Sequence, residues 1–397
     1  MFQNLTAAGF QFHSFSTFKT MSYHQRPVYQ KILILFSFCI IIPYLMTCLV
    51  PFVNTAENWF IALPGLIFPI LFFVLLFLAL MWALLKSRMA WICLVTLILG
   101  IQQITSVFSF HFPQKFLYEK NANTLRVFQW NVMAWDQGNE QENIEQGGHA
   151  LRPFMMQEVK DKKPDVLCFE EFFESKDSSV FGSNIHLLSQ IGFPYYYFPN
   201  KNEQTETQAG LAIFSKYPII DTAAFSLNLN GKGAQLIYAD IKVQEKKIRI
   251  FTTHLIPIQF ANWENRRVLN QEIYGEARSG SYRNIFKKVI RGYEIRYYQS
   301  QLAGSKIAES PYPAVVCGDF NDVPNSATYF NIKGNLQDAF LKKGSGTGRT
   351  TRASFGLISP TLRIDYILAS RDFKVKQFEI SHVPYSDHFP LIADLGY

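Results

Sequence analysis

Three long uncharged apolar runs fill most of the first third of this chain, and they restrict its fold more than anything after them. They span residues 32–53, 59–85 and 89–110, with Pro43 and Pro51 in the first and Pro64 and Pro69 in the second. Each reaches the ~20 residues that a helix needs to cross the hydrocarbon layer. None contains Asp, Glu, Lys, Arg or His; Gln102 and Gln103 are the only strongly polar side chains of the third. A secretory signal peptide has one shorter apolar region, and a buried hairpin of core helices would not supply three such runs in succession. Residues 32–110 therefore read as a membrane anchor of three transmembrane helices. Charges within a membrane mark ion and proton pathways, so uncharged helices point to an anchor rather than a transporter.

Flanking charges orient the anchor. Arg26 and Lys31 precede the first run, Lys86 and Arg88 fill the turn between the second and third, and the loop 54–58 carries no positive charge. The positive-inside rule places residues 1–31 and the Lys86–Arg88 turn in the cytoplasm. Three crossings then put everything after residue 110 on the extracytoplasmic side, periplasmic or outer, although Lys115 and Lys120 follow the third run. Met21 is an alternative start, because the twenty residues before it carry no structural or targeting pattern.

Composition agrees with membrane content: the chain is 48% hydrophobic and 16% aromatic, with 37 Phe. Its net charge of +7 is concentrated in the anchor region. Residues 1–115 hold six Lys/Arg against one acid, Glu57, which leaves +2 for residues 116–397. The basic balance is thus no argument for nucleic-acid binding. Cys39, Cys48 and Cys93 lie in the apolar runs; Cys168 and Cys317 lie in apolar stretches beyond them and read as small buried hydrophobes rather than a disulfide.

From about residue 121 the pattern changes to short apolar strands separated by polar turns. "TLRVFQWNV" (124–132), "PDVLCFEEFF" (164–173), "GLAIFSKYPI" (210–219), "QLIYADIKV" (235–243), "KIRIFTTHL" (247–255), "AVVCGDFND" and "RIDYILAS" (363–370) read as strands. In "RNIFKKVIRGYEIRYYQSQLAGSKI", Phe286, Ile290, Tyr293 and Tyr297 recur at helical spacing, with Lys287, Lys288, Arg291 and Glu294 on the solvated face. The Gly- and Ser-rich stretch 342–354 reads as a flexible loop.

One arrangement repeats along these strands: an apolar run, then a polar residue that no core wants. Asn131, Glu171, His254, Asp319, Asn321, Asp365, Asp387 and His388 all hold such positions. Each alone is explained by a turn or a solvated strand end; eight together are not. Carboxylates and a carboxamide without ligand-spaced Cys suit a hard divalent cation such as Mg²⁺ or Mn²⁺. Histidines beside acids suit general-base work and stabilisation of a charged phosphoryl transition state. No G-x-S-x-G elbow or P-loop is present.

The ordered series "QWNV", "PDVLCFEE", "GLAIFSKYPI", "TTHL", "VVCGDFNDVPNS", "RIDYIL" and "SDHFPL" resembles the endonuclease/exonuclease/phosphatase family of DNase I-like, metal-dependent phosphoesterases, over residues 122–397. The resemblance implies an α/β fold, a four-layer α/β sandwich, following the three transmembrane helices. It implies Glu171 as principal metal ligand with Asn131 and Asp387 beside it, and His388 as the base oriented by Asp365. It also implies His254 on the phosphate, with Asp319 and Asn321 positioning water and leaving group. Glu170 stands where many members have Gln. The implied activity is hydrolysis of a phosphodiester or phosphomonoester. The substrate class stays open among nucleic acid, phospholipid (as in a sphingomyelinase-like phosphodiesterase) and inositol phosphate, and no obligate protein partner is evident. A catalytically dead binding protein is the remaining alternative, and it would lack Glu171, Asp319 or His388.

Overall fold

The computed structural model describes residues 27–137, 144–145, 148–177, 181–199, 206–227, 234–257, 282–352 and 362–397. The N-terminal segment with Arg26 and the alternative start Met21, and the side chains of Phe286 and Lys288, lie outside the described residues. The first part consists of helices α1 (Val28–Leu49), α2 (Trp59–Ala62), α3 (Phe68–Leu84), α4 (Met89–Leu99) and α5 (Ile101–Val107). Strands follow: β1 (Ser109–Phe110), β2 (Thr124–Asn131), β3 (Val166–Ser175), β4 (Tyr195–Tyr197), β5 (Thr207–Ser215), β6 (Ile219–Ser226) and β7 (Gln235–Val243). The rest are β8 (Lys246–His254), β9 (Ala314–Asp319), β10 (Gln337–Asp338), β11 (Ser345–Gly346), β12 (Asp365–Ala369), β13 (Lys374–Ile380) and β14 (Leu391–Gly396).

Two apolar helical stretches, Val28–Phe52 and Trp59–Leu84, are long and apolar enough to cross a membrane. Side chains such as Leu35, Phe77, Leu80, Trp91 and Ile98 face outward, as lipid-facing residues would. The third run is not one helix. It breaks at Gly100 into α4 and α5, which meet at 57°. Packing accounts for the break: a Cβ on Gly100 would stand 2.2 Å from the hydroxyl of Tyr44, so only glycine lets α1 approach this closely. Trp82 Nε1 donates to Ser37 Oγ at 2.9 Å, tying α3 to α1.

Beyond the helices, two six-stranded sheets pack face to face in the orders β13-β14-β2-β3-β5-β4 and β10-β12-β9-β8-β7-β6. Their inner faces bury Val127, Val166, Cys168 and Ile213 against Ile237, Ile250, Val315, Cys317 and Ile367. Both cysteines are buried there as free thiols. Helices Arg152–Lys162 and Asn184–Gln190 cover the outer face of the first sheet, where Met155, Val159 and Leu188 meet Phe128, Trp130 and Phe169. Helices Tyr282–Ala308 and Ala327–Lys333 cover the second, with Ala303, Ile307, Tyr329 and Ile332 against Phe251, Val316 and Tyr366. The result is the four-layer α/β sandwich.

Each sheet has one parallel pair at its centre, β2 with β3 and β8 with β9. Central strands are buried on both faces, so their sequences read as near-continuous apolar runs rather than alternating ones. Strands β4, β6 and β13 went unread in the sequence because they lie at or near sheet edges and are mixed in polarity, as in "KVKQFEI".

Candidate active site

A parallel pair carries both C-terminal ends to the same edge of its sheet. In the register, Asn131 of β2 stands opposite Glu170 of β3, and His254 of β8 opposite Asp319 of β9. Strand β12 runs antiparallel to β9 and begins at that edge, with Asp365 opposite Asp319. His388 comes three residues before β14, which pairs with β2 through Leu391 and Gln129. Topology alone therefore gathers residues scattered from 131 to 388 at one edge of the sandwich.

His388 is the centre of the cluster. Its Nδ1 lies 3.0 Å from Asp365 Oδ2, and its Nε2 3.6 Å from Asp319 Oδ2. Asp319 Oδ2 also lies 3.5 Å from His254 Nε2 and accepts from Asn131 Nδ2 at 3.3 Å, while Oδ1 accepts from the Asn321 N–H at 2.9 Å. Asn321 itself donates to the Leu255 carbonyl. Asn131 donates a second bond to Glu171 Oε1 at 3.2 Å, and its own oxygen accepts from the Met133 N–H. Here, then, Asn131 orients Glu171. Ser386 ties in the Asp387 loop: its hydroxyl donates to the Asn131 carbonyl at 2.8 Å and lies 3.4 Å from Asp387 Oδ1.

Backbone geometry reinforces this placement. Gly318, immediately before Asp319, has φ +151, and a Cβ there would stand 2.2 Å from the Thr253 carbonyl, so glycine is required between β8 and β9. Glu171 has φ +50 at a break in the β3–β5 register between Phe169 and Phe172. A bulge of this kind re-aims side chains, and here it separates the two adjacent acids. Glu171 turns to Asn131 at the partly exposed rim. Glu170 turns into the inter-sheet core, where it accepts from Gln129 Nε2 at 2.7 Å and Thr252 Oγ1 at 2.6 Å. Burial, with Asp365 and Asp319 nearby, pushes the Glu170 carboxyl well above the usual range.

Several positioning residues escaped the sequence reading. Gln129 Nε2 donates to both Glu170 and Asp365, the latter at 3.2 Å. Thr350 Oγ1 accepts from the backbone N–H of Ile364 and Asp365, and Trp130 Nε1 donates to the His388 carbonyl at 2.9 Å. The stretch 342–354, expected to be a flexible loop, is structured in its described part, 342–352, with Ser345 and Gly346 in β11 and Thr350 and Thr351 buried; 353–354 lie outside the described residues.

The electrostatics fit a divalent cation. Burial first, then Asp365, pushes Asp319 up to about 6, and the imidazoles of His388 and His254 only partly offset this. Burial alone would depress His388, yet Asp365, Asp319 and Asp387 together raise it well above the ordinary histidine value. Asp319, Asp365 and His388 present potential ligand atoms within 4.8 Å of one another, but the Asp365–His388 hydrogen bond already engages two of the three. The hard oxygens at the partly exposed rim are those of Glu171 and Asp387, with Asn131 between the rim and Asp319.

Comparison with known proteins follows the same lines. The profile described as "Endonuclease/Exonuclease/phosphatase family" matches residues 154–388, and that of a domain of unknown function (DUF8431) matches residues 30–107. Nocturnin of Rattus norvegicus is 25% identical over 238 residues, covering 54% of this chain and 48% of that protein; human Nocturnin is 24% identical over the same shares. The chain thus spans about half the length of the curated relatives it matches. Among solved structures, an endonuclease/exonuclease/phosphatase from Beutenbergia cavernae DSM 12333 aligns at 18% identity and TM-score 0.49, covering 69% of this chain and 72% of that one. The human Nocturnin catalytic domain with bound sulfate anion aligns at 22% identity and TM-score 0.47, covering 69% and 93%. With more than half of its residues matched by the profile, the chain belongs to the endonuclease/exonuclease/phosphatase family.

Proposed function

We propose that this chain is a membrane-anchored phosphoesterase that cleaves a phosphate ester by one-step attack of water, supported by a divalent cation. The observation that carries the reading is the alignment of Asp365, His388 and Asp319 along one imidazole ring. Asp365 accepts from Nδ1–H of His388 and so keeps Nε2 free to take a proton from water. Nε2 lies on the Asp319 side of the ring, and Asp319 in turn contacts His254, Asn131 and the Asn321 N–H. His254, held beside Asp319, is placed to donate to a phosphate oxygen. Asp319 and Asn321 fix the water and the leaving-group side. Glu171, flanked by Asn131 and Asp387, would hold Mg²⁺ or Mn²⁺, which when bound supplies positive charge against the phosphate oxygens.

We further read residues 1–31 as a cytoplasmic segment, 32–110 as the anchor and 122–397 as the catalytic domain on the extracytoplasmic side. The bent pair α4–α5 is read as one crossing. Supporting this, the loop after α1 and the chain after α5 both contact the catalytic domain, as they must if the Lys86–Arg88 turn lies across the bilayer from it.

The test is hydrolysis of bis-p-nitrophenyl phosphate by the full chain in detergent. Chelation by EDTA should silence it and added Mg²⁺ or Mn²⁺ restore it; a rate indifferent to chelator would remove the cation from the account.

A further inference from the structure

Two separate stretches of the anchor are built into the hydrolase domain. At one, Ser106 in the last turn of α5 gives its carbonyl to Arg363 Nη2 at 2.7 Å, β1 pairs with β11, and Ser109 Oγ donates to the Gly344 carbonyl at 2.7 Å. At the other, the connection between α1 and α3 meets the helices that cover the second sheet. Val50 and Ile61 bury against Ala327, and Ala62 against Val289 and Tyr293. Gly65 packs against the domain as well: a Cβ on it would stand in van der Waals contact with Asn325 Oδ1, at 3.4 Å. Contacts from two distant parts of the chain block rotation about any single linker. The domain is seated on the end of the helices rather than hung from them.

The seat adjoins the site. Asn325 follows Asn321 by four residues, so their Cα atoms lie at most about 14 Å apart. Between them Asp322 is clamped by Arg296 Nε at 3.2 Å and Thr328 Oγ1 at 2.8 Å. Exposed apolar side chains continue right up to the seat, with Phe52 and Phe60 at one contact and Phe110 and Phe112 at the other. Such surface needs lipid beside it, and the polar layer of a bilayer adds only about 5–7 Å beyond the hydrocarbon on each side. Asn321, at the catalytic edge, is therefore within about 14 Å of a residue packed against the membrane-facing helices. The seam is also polar: both side-chain polar atoms of Asn325 and Nη2 of Arg296 are buried there with no hydrogen-bond partner. A nucleic acid would have to crowd the same edge against the bilayer, and a net +2 over residues 116–397 gives it little counter-charge.

We propose that the substrate is the phosphodiester of a membrane-lipid headgroup, presented laterally from the leaflet on which the domain is seated. This rests on the phosphoesterase reading above. Water adds to phosphorus, the bond from phosphorus to one ester oxygen breaks, and the proton taken by His388 leaves with that oxygen. The products are a phosphomonoester and an alcohol, one of which stays in the membrane.

The full chain, reconstituted in vesicles of phosphatidylglycerol, phosphatidylethanolamine and phosphatidylcholine with Mg²⁺, is assayed by phosphorus NMR for new monoester. Parallel arms use deacylated glycerophosphodiesters, a single-stranded oligonucleotide and bis-p-nitrophenyl phosphate. The expected result is cleavage of a vesicle lipid that tracks its surface fraction, at least tenfold faster than its deacylated form. Gly65→Leu, which pushes Asn325 off the seat, should lower lipid cleavage at least tenfold while bis-p-nitrophenyl phosphate hydrolysis stays within twofold. Cleavage of the oligonucleotide with lipid untouched, equal rates on lipid and deacylated diester, or an unchanged rate ratio in Gly65→Leu would overturn the proposal. Should that variant fail to fold, the lipid and deacylated arms of the parent decide alone. Failure on every substrate, bis-p-nitrophenyl phosphate included, would instead overturn the phosphoesterase reading itself.

Discussion

His388 sets Asp365 and Asp319 against opposite nitrogens of one ring, Nδ1 at 3.0 Å from the first and Nε2 at 3.6 Å from the second. In the proposed mechanism one carboxylate fixes the tautomer and the other lies on the side of the ring where the attacking water would sit. Asp365→Asn keeps the shape and removes the charge. We expect kcat to fall about 10²- to 10⁴-fold, the usual worth of a positioned general base. Burial favours neutral His388 and the carboxylates outweigh it, so losing one should move the acid limb of the pH–rate profile to lower pH. An unmoved limb would show that Asp365 is merely structural.

Asp319 gives a pH test that needs no substrate. Burial, with Asp365 adding, lifts its carboxyl from 3.8 to about 6 against the opposing pull of His388 and His254. A group whose pKa is raised on folding binds its proton more tightly in the folded chain. Stability should therefore fall as pH rises from about 4 to about 6 and level off above. In EDTA at pH 8, Asp319→Asn should melt a few degrees above the parent, with the gap closing by pH 4. A variant that melts lower at pH 8 would contradict this placement of charge.

Arg363 joins α5 to the two-sheet domain. It is buried, donates to Asp338 Oδ2 at 2.6 Å and to the Ser106 carbonyl, and sits two residues before Asp365. Removing one partner of a buried pair leaves the other uncompensated, at a cost of about 3–5 kcal/mol. Arg363→Ala should lower the melting temperature by roughly 10 °C; an unchanged melt would mean the junction carries no stability.

Topology is tested directly by a reporter fused after Tyr397. It should be active only when that end lies outside the cytoplasm; cytoplasmic activity would sink the three-crossing reading.

What could be read from the sequence follows from where each residue sits. Asn131, His254 and Asp319 were legible because each ends a central strand, and Glu171 because it follows the apolar run of one; in each case the run makes the polar residue conspicuous. Gln129 and Thr252 were not, because they sit inside strands and their partners are 41 and 82 residues away or more. The choice between Glu170 and Glu171 rested on a bulge, and alternation alone cannot locate one. Hydropathy found the third apolar run but not its break, since Gly100 answers to the ring of Tyr44 on a different helix. Glycine and serine made 342–352 look mobile, whereas the Thr350 hydroxyl holds the backbone at Asp365.

The most direct measurement is hydrolysis of bis-p-nitrophenyl phosphate by the full chain with Mg²⁺, beside a His388→Ala variant whose melting temperature matches the parent. The parent rate should lie well above background and the variant rate should be lower by about 10²- to 10⁴-fold. A folded variant within threefold of the parent would contradict the assignment of His388 as the base.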